Sequence, residues 1–206
     1  MTNTAVDDCP EGALAIRNAT AADAEALSAF AAKVFHDTFA PDNDPMDMHV
    51  YLSDAFTPEK QAAEIADASC VCLIAEVGET LAGYALLRLE ALDPREPGEL
   101  AAELRVKPPV EQPRDRPVEL QRFYLDHAWH GRGMAPQLMA ACLDAARAHG
   151  AASLWLGVWE RNARAIRFYQ KHGFTDIGSQ VFRLGTDLQT DRVMSRSVLD
   201  ADGASA

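Results

Sequence analysis

A strand that runs through a short glycine-containing turn directly into a helix is the strongest structural signal in this sequence. The segment from Val118 to Ala135 reads VELQRFYLDHAWHGRGMA. Its first part, Glu119 to Leu125, has the alternating and aromatic character of a β-strand. Apolar residues then repeat at helical spacing, at Met134, Leu138 and Cys142. The glycines of this segment therefore fall at the corner between a strand and a helix.

This corner is suited to bind a phosphate group through the main chain. Gly131 and Gly133 lack a Cβ, so the backbone can curl there with its N–H groups turned inward. The helix that follows adds unpaired N–H groups and the positive end of its dipole. We therefore expect a pyrophosphate to be bound here mainly by backbone donors.

Two common phosphate-binding motifs do not fit the corner. The NTP-binding P-loop needs the pattern GxxxxGK[ST], which the sequence lacks. A dinucleotide-binding GxGxxG needs a third glycine at a position held by Pro136. An ordinary glycine-containing turn without a ligand stays open as the alternative to a phosphate cradle.

The turn is similar to a known cofactor signature. Its six residues are His130, Gly131, Arg132, Gly133, Met134 and Ala135. They resemble the acetyl-CoA signature [QR]xxGx[GA] of the GNAT superfamily of N-acetyltransferases, except that His130 stands where Arg or Gln is usual. Pro136 removes one backbone donor, but proline is tolerated in a first helical turn. The resemblance implies acetyl-CoA as the cosubstrate.

A second motif follows about thirty residues later. The segment Leu154 to Phe174 reads LWLGVWERNARAIRFYQKHGF, a pattern that predicts a buried strand, a turn and a helix closed by Gly173. It resembles the second GNAT signature, N..A..FY...GF, whose positions are held by Asn162, Ala165, Phe168, Tyr169, Gly173 and Phe174. In that superfamily this segment flanks the pantetheine arm and the thiol.

The C-terminal region extends the resemblance. The segment Ser179 to Met194 reads SQVFRLGTDLQTDRVM, which predicts two strands joined by a Gly-Thr-Asp-Leu turn. Together with WLGVWE it resembles the PaiA-like branch of polyamine acetyltransferases. The resemblance implies an α/β GNAT fold, with a central mixed, mostly antiparallel, splayed sheet flanked by helices. We expect a flexible N-terminus (residues 1–12), a single GNAT acetyltransferase domain (residues 13–199) and a disordered tail (residues 200–206).

Hydrophobic periodicity and capping residues predict the remaining elements. Thr20, followed three residues later by Asp23, is a candidate N-cap for a helix. In chain order we expect a strand at 13–17, a helix at 20–34, two short helices of which the second begins near residue 58, a hairpin of strands at 70–77 and 81–90, and a long surface loop at 91–117.

Negative charge is concentrated in the N-terminal part of the chain. The total of −12 divides into −8 for residues 1–60, −5 for residues 61–117 and +1 for residues 118–206. A cationic substrate therefore suits the first half, and nucleic acid is a poor partner. No apolar run approaches the about 20 residues of a membrane span, and no basic region followed by an apolar one opens the sequence. We expect a cytoplasmic protein without a membrane partner, and leave assembly as a homodimer open.

Metal binding is not expected. Cys70 and Cys72 share one face of a predicted strand, but no second ligand pair lies nearby in the sequence. The histidines at positions 36, 49, 127 and 130 show no convincing ligand spacing.

Transfer of an acetyl group to an amine needs a base. An aliphatic amine has a pKa of about 10, so freeing it at neutral pH costs roughly 4 kcal/mol. Glu119 matches a position where GNAT enzymes often carry a carboxylate, and Tyr169 matches the superfamily's thiolate-protonating tyrosine. A salt-bridged strand glutamate and a core tyrosine are the structural alternatives. Strand alternation places Gln121 and Phe123 on the face of Glu119, unless a β-bulge intervenes.

The remaining site residues divide between cofactor and acceptor. Backbone N–H groups of Phe123 or Leu125 would polarise the acetyl carbonyl, and Asn162 would bind the pantetheine arm or cap its helix. The expected cofactor-binding residues are Phe123, Tyr124, Leu125, His130, Gly131, Arg132, Gly133, Met134, Ala135, Asn162 and Phe168. The expected acceptor-binding residues are Phe35, Phe39, Asp42, Asp44 and Tyr51, in the region that builds the acceptor pocket in this superfamily.

The sequence thus predicts direct transfer of the acetyl group of acetyl-CoA to a small cationic amine, spermidine or spermine in type. Acetylation of a protein N-terminus or lysine is the alternative acceptor chemistry. A non-catalytic module that binds acyl-CoA as a sensor is the alternative of another class, in which His130 and Pro136 would be signs of drift.

Overall fold

In the computed structural model, which describes residues 12–91, 94 and 117–199, one seven-stranded sheet carries helices on both faces. The strands are β1 (Leu14–Asn18), β2 (Cys70–Val77), β3 (Thr80–Arg88), β4 (Pro117–Leu125), β5 (Ser153–Trp159), β6 (Thr175–Leu184) and β7 (Asp187–Ser197). The helices are α1 (Ala24–Phe39), α2 (Pro45–Ala55), α3 (Pro58–Ala66), α4 (Met134–Ala148) and α5 (Ala163–Lys171). The predicted α/β fold class is confirmed.

The sheet is open in its middle. The strand order is β1-β2-β3-β4-β5-β7-β6, and neighbours run antiparallel except for the parallel pair β4 and β5. These two strands pair only through Pro117–Glu119 and Ser153–Trp155. Beyond Glu119 and Trp155 no pairing continues, so a gap opens between the strands. This gap is the splay that the sequence resemblance implies.

A β-bulge in β4 changes which side chains share a face. Leu86 of β3 pairs with Arg122 while the next residue, Leu87, pairs with Leu120, so Gln121 is the extra residue. Because of the bulge, Glu119 lies on the same face as Arg122 rather than on the face of Phe123. Simple alternation, which places Glu119 with Phe123, is therefore wrong at this point.

Two hydrophobic cores cover the two faces of the sheet. One packs α4 and α5 against the sheet through residues such as Leu138 and Tyr169, and we call this side the α4–α5 face. The other packs α1, α2 and α3 through residues such as Leu27, Phe35 and Met48, and we call it the α1–α3 face. The gap between β4 and β5 connects the two sides.

Local signals start the helices as predicted. The backbone N–H and the hydroxyl of Thr20 both donate to the carboxylate of Asp23, forming a capping box ahead of α1. Helix α1 then continues to Phe39, past the predicted end near Val34, because its buried face continues through Phe35. Side chains cap the next two helices as well, Asp44 for α2 and Thr57 for α3.

Several predicted segments lie outside the described residues. These are residues 1–11 of the expected flexible N-terminus, the expected tail at 200–206, and the expected loop at 91–117 apart from residues 91, 94 and 117. Pro117 itself begins β4, and the C-terminal hairpin is longer than predicted, with strands at Thr175–Leu184 and Asp187–Ser197. Within the described helices, none combines the length and apolar character needed to cross a membrane.

Candidate active site

A cavity of about 400 Å³ occupies the gap between β4 and β5 and reaches both faces of the sheet. From the α4–α5 face it is lined by residues that include Phe123, Phe168 and Tyr169. From the α1–α3 face it is lined by residues that include Phe35 and Tyr51. Two ligands entering from opposite faces would therefore meet inside the sheet.

The predicted phosphate cradle stands where β4 leads into α4. Gly131 and Gly133 have φ values of +77° and +76°, in the left-handed region that favours glycine. A Cβ at either position would meet nothing within 4 Å, so the space where a side chain would stand is open at both glycines. Gly131, Arg132 and Gly133 are exposed and do not line the cavity itself, which leaves them at its outside edge.

Two neighbours of these glycines have structural roles. The side chain of Met134 is 4% exposed and packs in the core, so only its backbone N–H is available to a ligand. The guanidinium of Arg132 lies 5.4 Å from the centre of the Trp129 ring. The predicted cradle would therefore consist mainly of backbone groups.

His130 holds the turn against the end of β4. Its Nε2 lies 3.2 Å from the carbonyl oxygen of Leu125, and its ring packs 4.8 Å from that of His127. Partial burial, together with the charges of Arg164 and His127, lowers the pKa of His130 below its usual value. His130, at the signature position of Arg or Gln, is thus a neutral imidazole whose Nε2–H donates to the carbonyl oxygen of Leu125.

Two backbone donors of β4 point into the gap. The N–H of Asp126 donates to the carbonyl of Ala82 on β3. Donors alternate between the two sides of a strand in an antiparallel ladder, so Arg122 and Tyr124 also turn their N–H groups toward β3. The N–H groups of Phe123 and Leu125 therefore turn the other way, toward the gap where β5 has separated.

Tyr169 lies on the α4–α5 side of the cavity. Its ring is 8% exposed and packs 6.3 Å from the ring of Phe123 and 5.5 Å from that of Phe168. Burial, together with the thiol of Cys142, raises the pKa of Tyr169 above its usual value. The phenol is therefore protonated at neutral pH and is a weaker acid than a tyrosine in water.

Asn162 and Phe168 flank the same side of the cavity. The Oδ1 of Asn162 accepts a hydrogen bond from the backbone N–H of Ala165 at 3.1 Å and so caps α5. Its side-chain NH₂ has no partner among the described residues and is available to a ligand. The ring of Phe168 stacks on that of Phe123 at 5.6 Å, which joins α5 to β4 across the cavity.

Glu119 lies at the closed end of the gap. It pairs in register with Trp155 on one side and with Arg88 on the other. Burial raises the pKa of Glu119 above its usual value, and the positive charge of Arg88 opposes that shift. The Arg88 guanidinium itself contacts Gln121 and Glu64, and no hydrogen bond joins it to Glu119. Glu119 is therefore a carboxylate in the cavity wall with no ion-pair partner in the ranges that the structure describes.

The expected acceptor residues divide into two groups. Phe35, Phe39 and Tyr51 line the cavity from the α1–α3 face, with the rings of Phe35 and Tyr51 stacked at 4.7 Å. Asp42 and Asp44 are exposed and do not line it.

Two acids of this segment, Asp44 and Asp47, accept hydrogen bonds from the protein itself. Asp44 accepts hydrogen bonds from the N–H groups of Met46 and Asp47 at the start of α2. Asp47 accepts from the N–H and hydroxyl of Thr186 in the β6–β7 turn. Asp44 thus caps α2 through Oδ1 and stands outside the cavity lining, and acceptor binding by Asp42 and Asp44 stays a prediction.

Sequence reasoning missed the part of the cavity that the C-terminal hairpin contributes. Asp191 of β7 is 8% exposed, and burial raises its pKa to about 6. It pairs across strands with Trp159 of β5 and Gln180 of β6, and all three line the cavity. In the sequence, Asp191 stands two residues before Val193 in a predicted strand. Only the pairing of β7 with β5 and β6 shows that the Asp191 side chain lies on the cavity side of the sheet.

No set of three or more His, Cys, Asp or Glu side chains that could hold a metal ion occurs in the described part of the chain. Cys72 is buried, and the Cys70 thiol lies 3.5 Å from the guanidinium of Arg88.

Comparison with known proteins gives the same assignment as the geometry. The acetyltransferase (GNAT) family profile matches residues 35–174. An uncharacterized N-acetyltransferase of Lactobacillus delbrueckii subsp. lactis is 32% identical over 171 residues, which cover 83% of this chain and 90% of that protein. A spermine/spermidine N(1)-acetyltransferase of Bacillus subtilis is 32% identical over only 66 residues, 32% of this chain and 43% of that protein.

The fold has solved relatives as well. The PaiA N-acetyltransferase of Thermoplasma acidophilum, in complex with coenzyme A, superposes with a TM-score of 0.69 at 20% identity, covering 90% of this chain and 99% of that one. At this identity the likeness supports the fold alone. Together with the family match, it is consistent with a cavity that takes acetyl-CoA as cosubstrate. The chain belongs to the acetyltransferase (GNAT) family and is an acetyl-CoA-dependent N-acetyltransferase.

Proposed function

We propose that this enzyme transfers the acetyl group of acetyl-CoA to a primary amine of a small polyamine of the spermidine or spermine type. The observation that carries the proposal is the cavity through the sheet. Its α4–α5 side suits a thioester arm, its α1–α3 side is aromatic and acidic, and Glu119 lies at the closed end of the gap between them.

The α4–α5 side fits acetyl-CoA. The open turn at Gly131 and Gly133 and the start of α4 would hold the pyrophosphate through backbone N–H groups. The free NH₂ of Asn162 would bind an amide of the pantetheine arm, and the ring of Phe168 would pack against that arm. When bound, the cosubstrate supplies an activated acetyl thioester.

The chain's own groups would handle the protons of a direct transfer. Glu119 takes one proton from the acceptor ammonium, either directly or through water, and the free amine attacks the thioester carbon. The N–H groups of Phe123 or Leu125 donate to the carbonyl oxygen as negative charge develops there. As the C–N bond forms and the C–S bond breaks, Tyr169 gives its hydroxyl proton to the sulfur. The second proton of the attacking nitrogen restores the tyrosine.

Three observations support a polyamine acceptor. The α1–α3 side presents aromatic rings of Phe35, Phe39 and Tyr51, which suit methylene stems and ammonium groups. It also contains the buried carboxylate of Asp191. The B. subtilis relative named as a spermine/spermidine N(1)-acetyltransferase aligns with part of this chain.

We further propose that residues 13–199 form one domain and that the enzyme works in the cytoplasm. The free thiols of Cys70, Cys72 and Cys142 suit a reducing compartment.

The test is release of free CoA from acetyl-CoA in the presence of an acceptor panel. The panel contains spermidine, spermine, putrescine, lysine-bearing peptides, peptides with a free N-terminus and aminoglycosides. We expect selective turnover with the polyamines. Selective turnover of peptides would replace the polyamine acceptor by a protein one. Binding of acetyl-CoA, measured by thermal shift, without CoA release from any acceptor would favour an acyl-CoA sensor.

A further inference from the structure

We propose that Asp191 forms a subsite for a second ammonium group of the acceptor, so that the enzyme selects diamines and polyamines over monoamines. This inference rests on the proposed acetyl transfer to a cationic amine and names the residue that would select the acceptor. Asp191 belongs to the C-terminal hairpin, apart from the phosphate cradle and from Glu119.

The carboxylate of Asp191 lacks a partner within the described part of the chain. It is 8% exposed, and no described residue forms a hydrogen bond or an ion pair with it. Ser28, another buried polar residue, donates to the carbonyl of Phe56, so its hydroxyl is satisfied. A buried charge is costly unless a counter-charge or a donor accompanies it. A ligand ammonium inside the cavity would supply both.

A glycine on the neighbouring strand makes room for this carboxylate. A Cβ at Gly157 would lie 2.5 Å from Nε2 of Gln180 and 3.1 Å from Oδ2 of Asp191. Both polar side chains therefore lie over the bare backbone of Gly157, inside the cavity wall. The amide oxygen of Gln180 is a second acceptor available to an ammonium.

Aromatic rings surround the same space. Trp159 pairs with Asp191 across strands, and its ring lies 6.1 Å from that of Phe39. Burial is the main cause that raises the pKa of Tyr51. The negative charge of Asp191 raises it further, so the two side chains are near each other. Carboxylate and aromatic faces together favour an alkylammonium group over a neutral or anionic one.

The subsite is separated from the proposed base. On β5, Glu119 is level with Trp155 and Asp191 with Trp159, which lies four residues further along the strand. At about 3.3 Å per residue this is roughly 13 Å along the strand, a separation on the scale of a polyamine. A further carboxylate beside the attacking nitrogen, one that does not take its proton, would raise the pKa of that amine and oppose its deprotonation by Glu119. Holding the distal ammonium at Asp191 avoids that conflict.

The test compares two acceptors with the same carbon chain, decylamine and 1,10-diaminodecane, because a diamine of this length matches the separation of Asp191 from Glu119 along the strand. The proteins are the unchanged enzyme, Asp191→Asn, and Glu160→Gln as a control that removes an exposed carboxylate next to the end of β5. We expect the unchanged enzyme and the control to favour the diamine in kcat/KM by roughly tenfold to a hundredfold, the range of a hydrogen bond between charged groups. Asp191→Asn should lose that preference, with the larger fall in kcat/KM on the diamine. Equal losses on both amines, or no loss on either, would overturn the subsite.

A second variant and a binding measurement separate this inference from the proposed reaction. Gly157→Ala keeps the charge but fills the space under Gln180 and Asp191, so it should also reduce the preference for the diamine. Calorimetry with CoA present reports diamine binding without turnover. If no amine is acetylated but diamine binding depends on Asp191, the subsite stands and the proposed reaction fails. If amines are acetylated but Asp191→Asn leaves the affinity for the diamine unchanged, the proposed reaction stands and the subsite is wrong.

Discussion

Glu119 and Trp155 form the last residue pair between the parallel strands β4 and β5, and the sheet is open beyond them. The carboxylate is therefore at the closed end of a gap whose two sides face different helices. A thioester reaching in from the α4–α5 face and an amine from the α1–α3 face would meet near this pair. The same geometry buries Glu119 and raises its pKa, which suits a base that must accept a proton near neutral pH.

Replacing the proposed base should change the pH dependence of the reaction. The raised pKa of Glu119 means that the unchanged enzyme should lose kcat/KM as pH falls through that pKa, because the carboxylate becomes protonated. Glu119→Gln should lower kcat by about 10²–10⁴-fold at neutral pH and remove that acidic limb. Raising the pH toward the amine pKa of about 10 should partly restore the variant, because free amine then comes from solution.

Steady-state rates against pH, with acetyl-CoA affinity as a second readout, check this prediction. Affinity should stay nearly unchanged because Glu119 lies away from the phosphate cradle. An identical pH–rate profile for Glu119→Gln and the unchanged enzyme would remove Glu119 from the mechanism.

Removing the hydroxyl of Tyr169 should slow departure of the thiolate. Tyr169→Phe should lower kcat by roughly 10²-fold, the lower end of the range for acid catalysis. Tyr84→Phe is the matched control, because Tyr84 is also buried, its hydroxyl has no partner in the described structure, and it does not line the cavity. Normal turnover by Tyr169→Phe would make this tyrosine a packing residue.

A substitution in the turn should separate cofactor binding from backbone strain. Gly131 and Gly150 both have positive φ, +77° and +76°, and both would give a Cβ open space. Valine at either position should therefore cost a similar free energy of unfolding, about 1–3 kcal/mol. Only Gly131→Val should weaken acetyl-CoA binding in calorimetry, because Gly150 follows the far end of α4. Equal acetyl-CoA affinity in the two variants would argue against a cradle at Gly131.

The buried carboxylate at Asp191 should cost stability in the free enzyme. Its ordinary pKa of 3.8 is raised to about 6 in the fold, so between these values the folded state binds more protons than the unfolded state. The free energy of unfolding should therefore fall as pH rises from about 4 to about 6, and stay lower above that range.

Asp191→Asn should remove this fall in the free energy of unfolding at higher pH, because asparagine does not ionise. The variant should be more stable than the unchanged enzyme at pH 7.5 by about 1–3 kcal/mol, with no gain below pH of about 4. Urea unfolding at several pH values measures the difference, and Glu160→Gln, which changes an exposed acid, should show none. A less stable Asp191→Asn at pH 7.5 would mean that the carboxylate already has a favourable partner.

The fold was predictable because its signals are local. The capping box of Thr20 and Asp23 and the strand-turn-helix corner around Gly131 and Gly133 depend on neighbours in sequence, and the structure has both. The predicted end of α1 near Val34 is too early, because nothing local stops the helix before Phe39.

The acceptor side was less predictable because it depends on pairing between distant strands. The bulge at Gln121 moves Glu119 to the face of Arg122, and no residue pattern in β4 shows it. Asp44 carries the sequence features of either a ligand or an N-cap, and the structure uses it as the cap. Asp191 could be recognised as a cavity residue only once the register of β6, β7 and β5 was known.

The most direct measurement is the product formed from acetyl-CoA and spermidine by the purified enzyme, followed by free-CoA release and by mass spectrometry of the amine. We expect one acetyl group on spermidine for each CoA released, with the rate sharply reduced in Glu119→Gln. Binding of acetyl-CoA with no acetylated amine and no CoA release would contradict the proposed transfer.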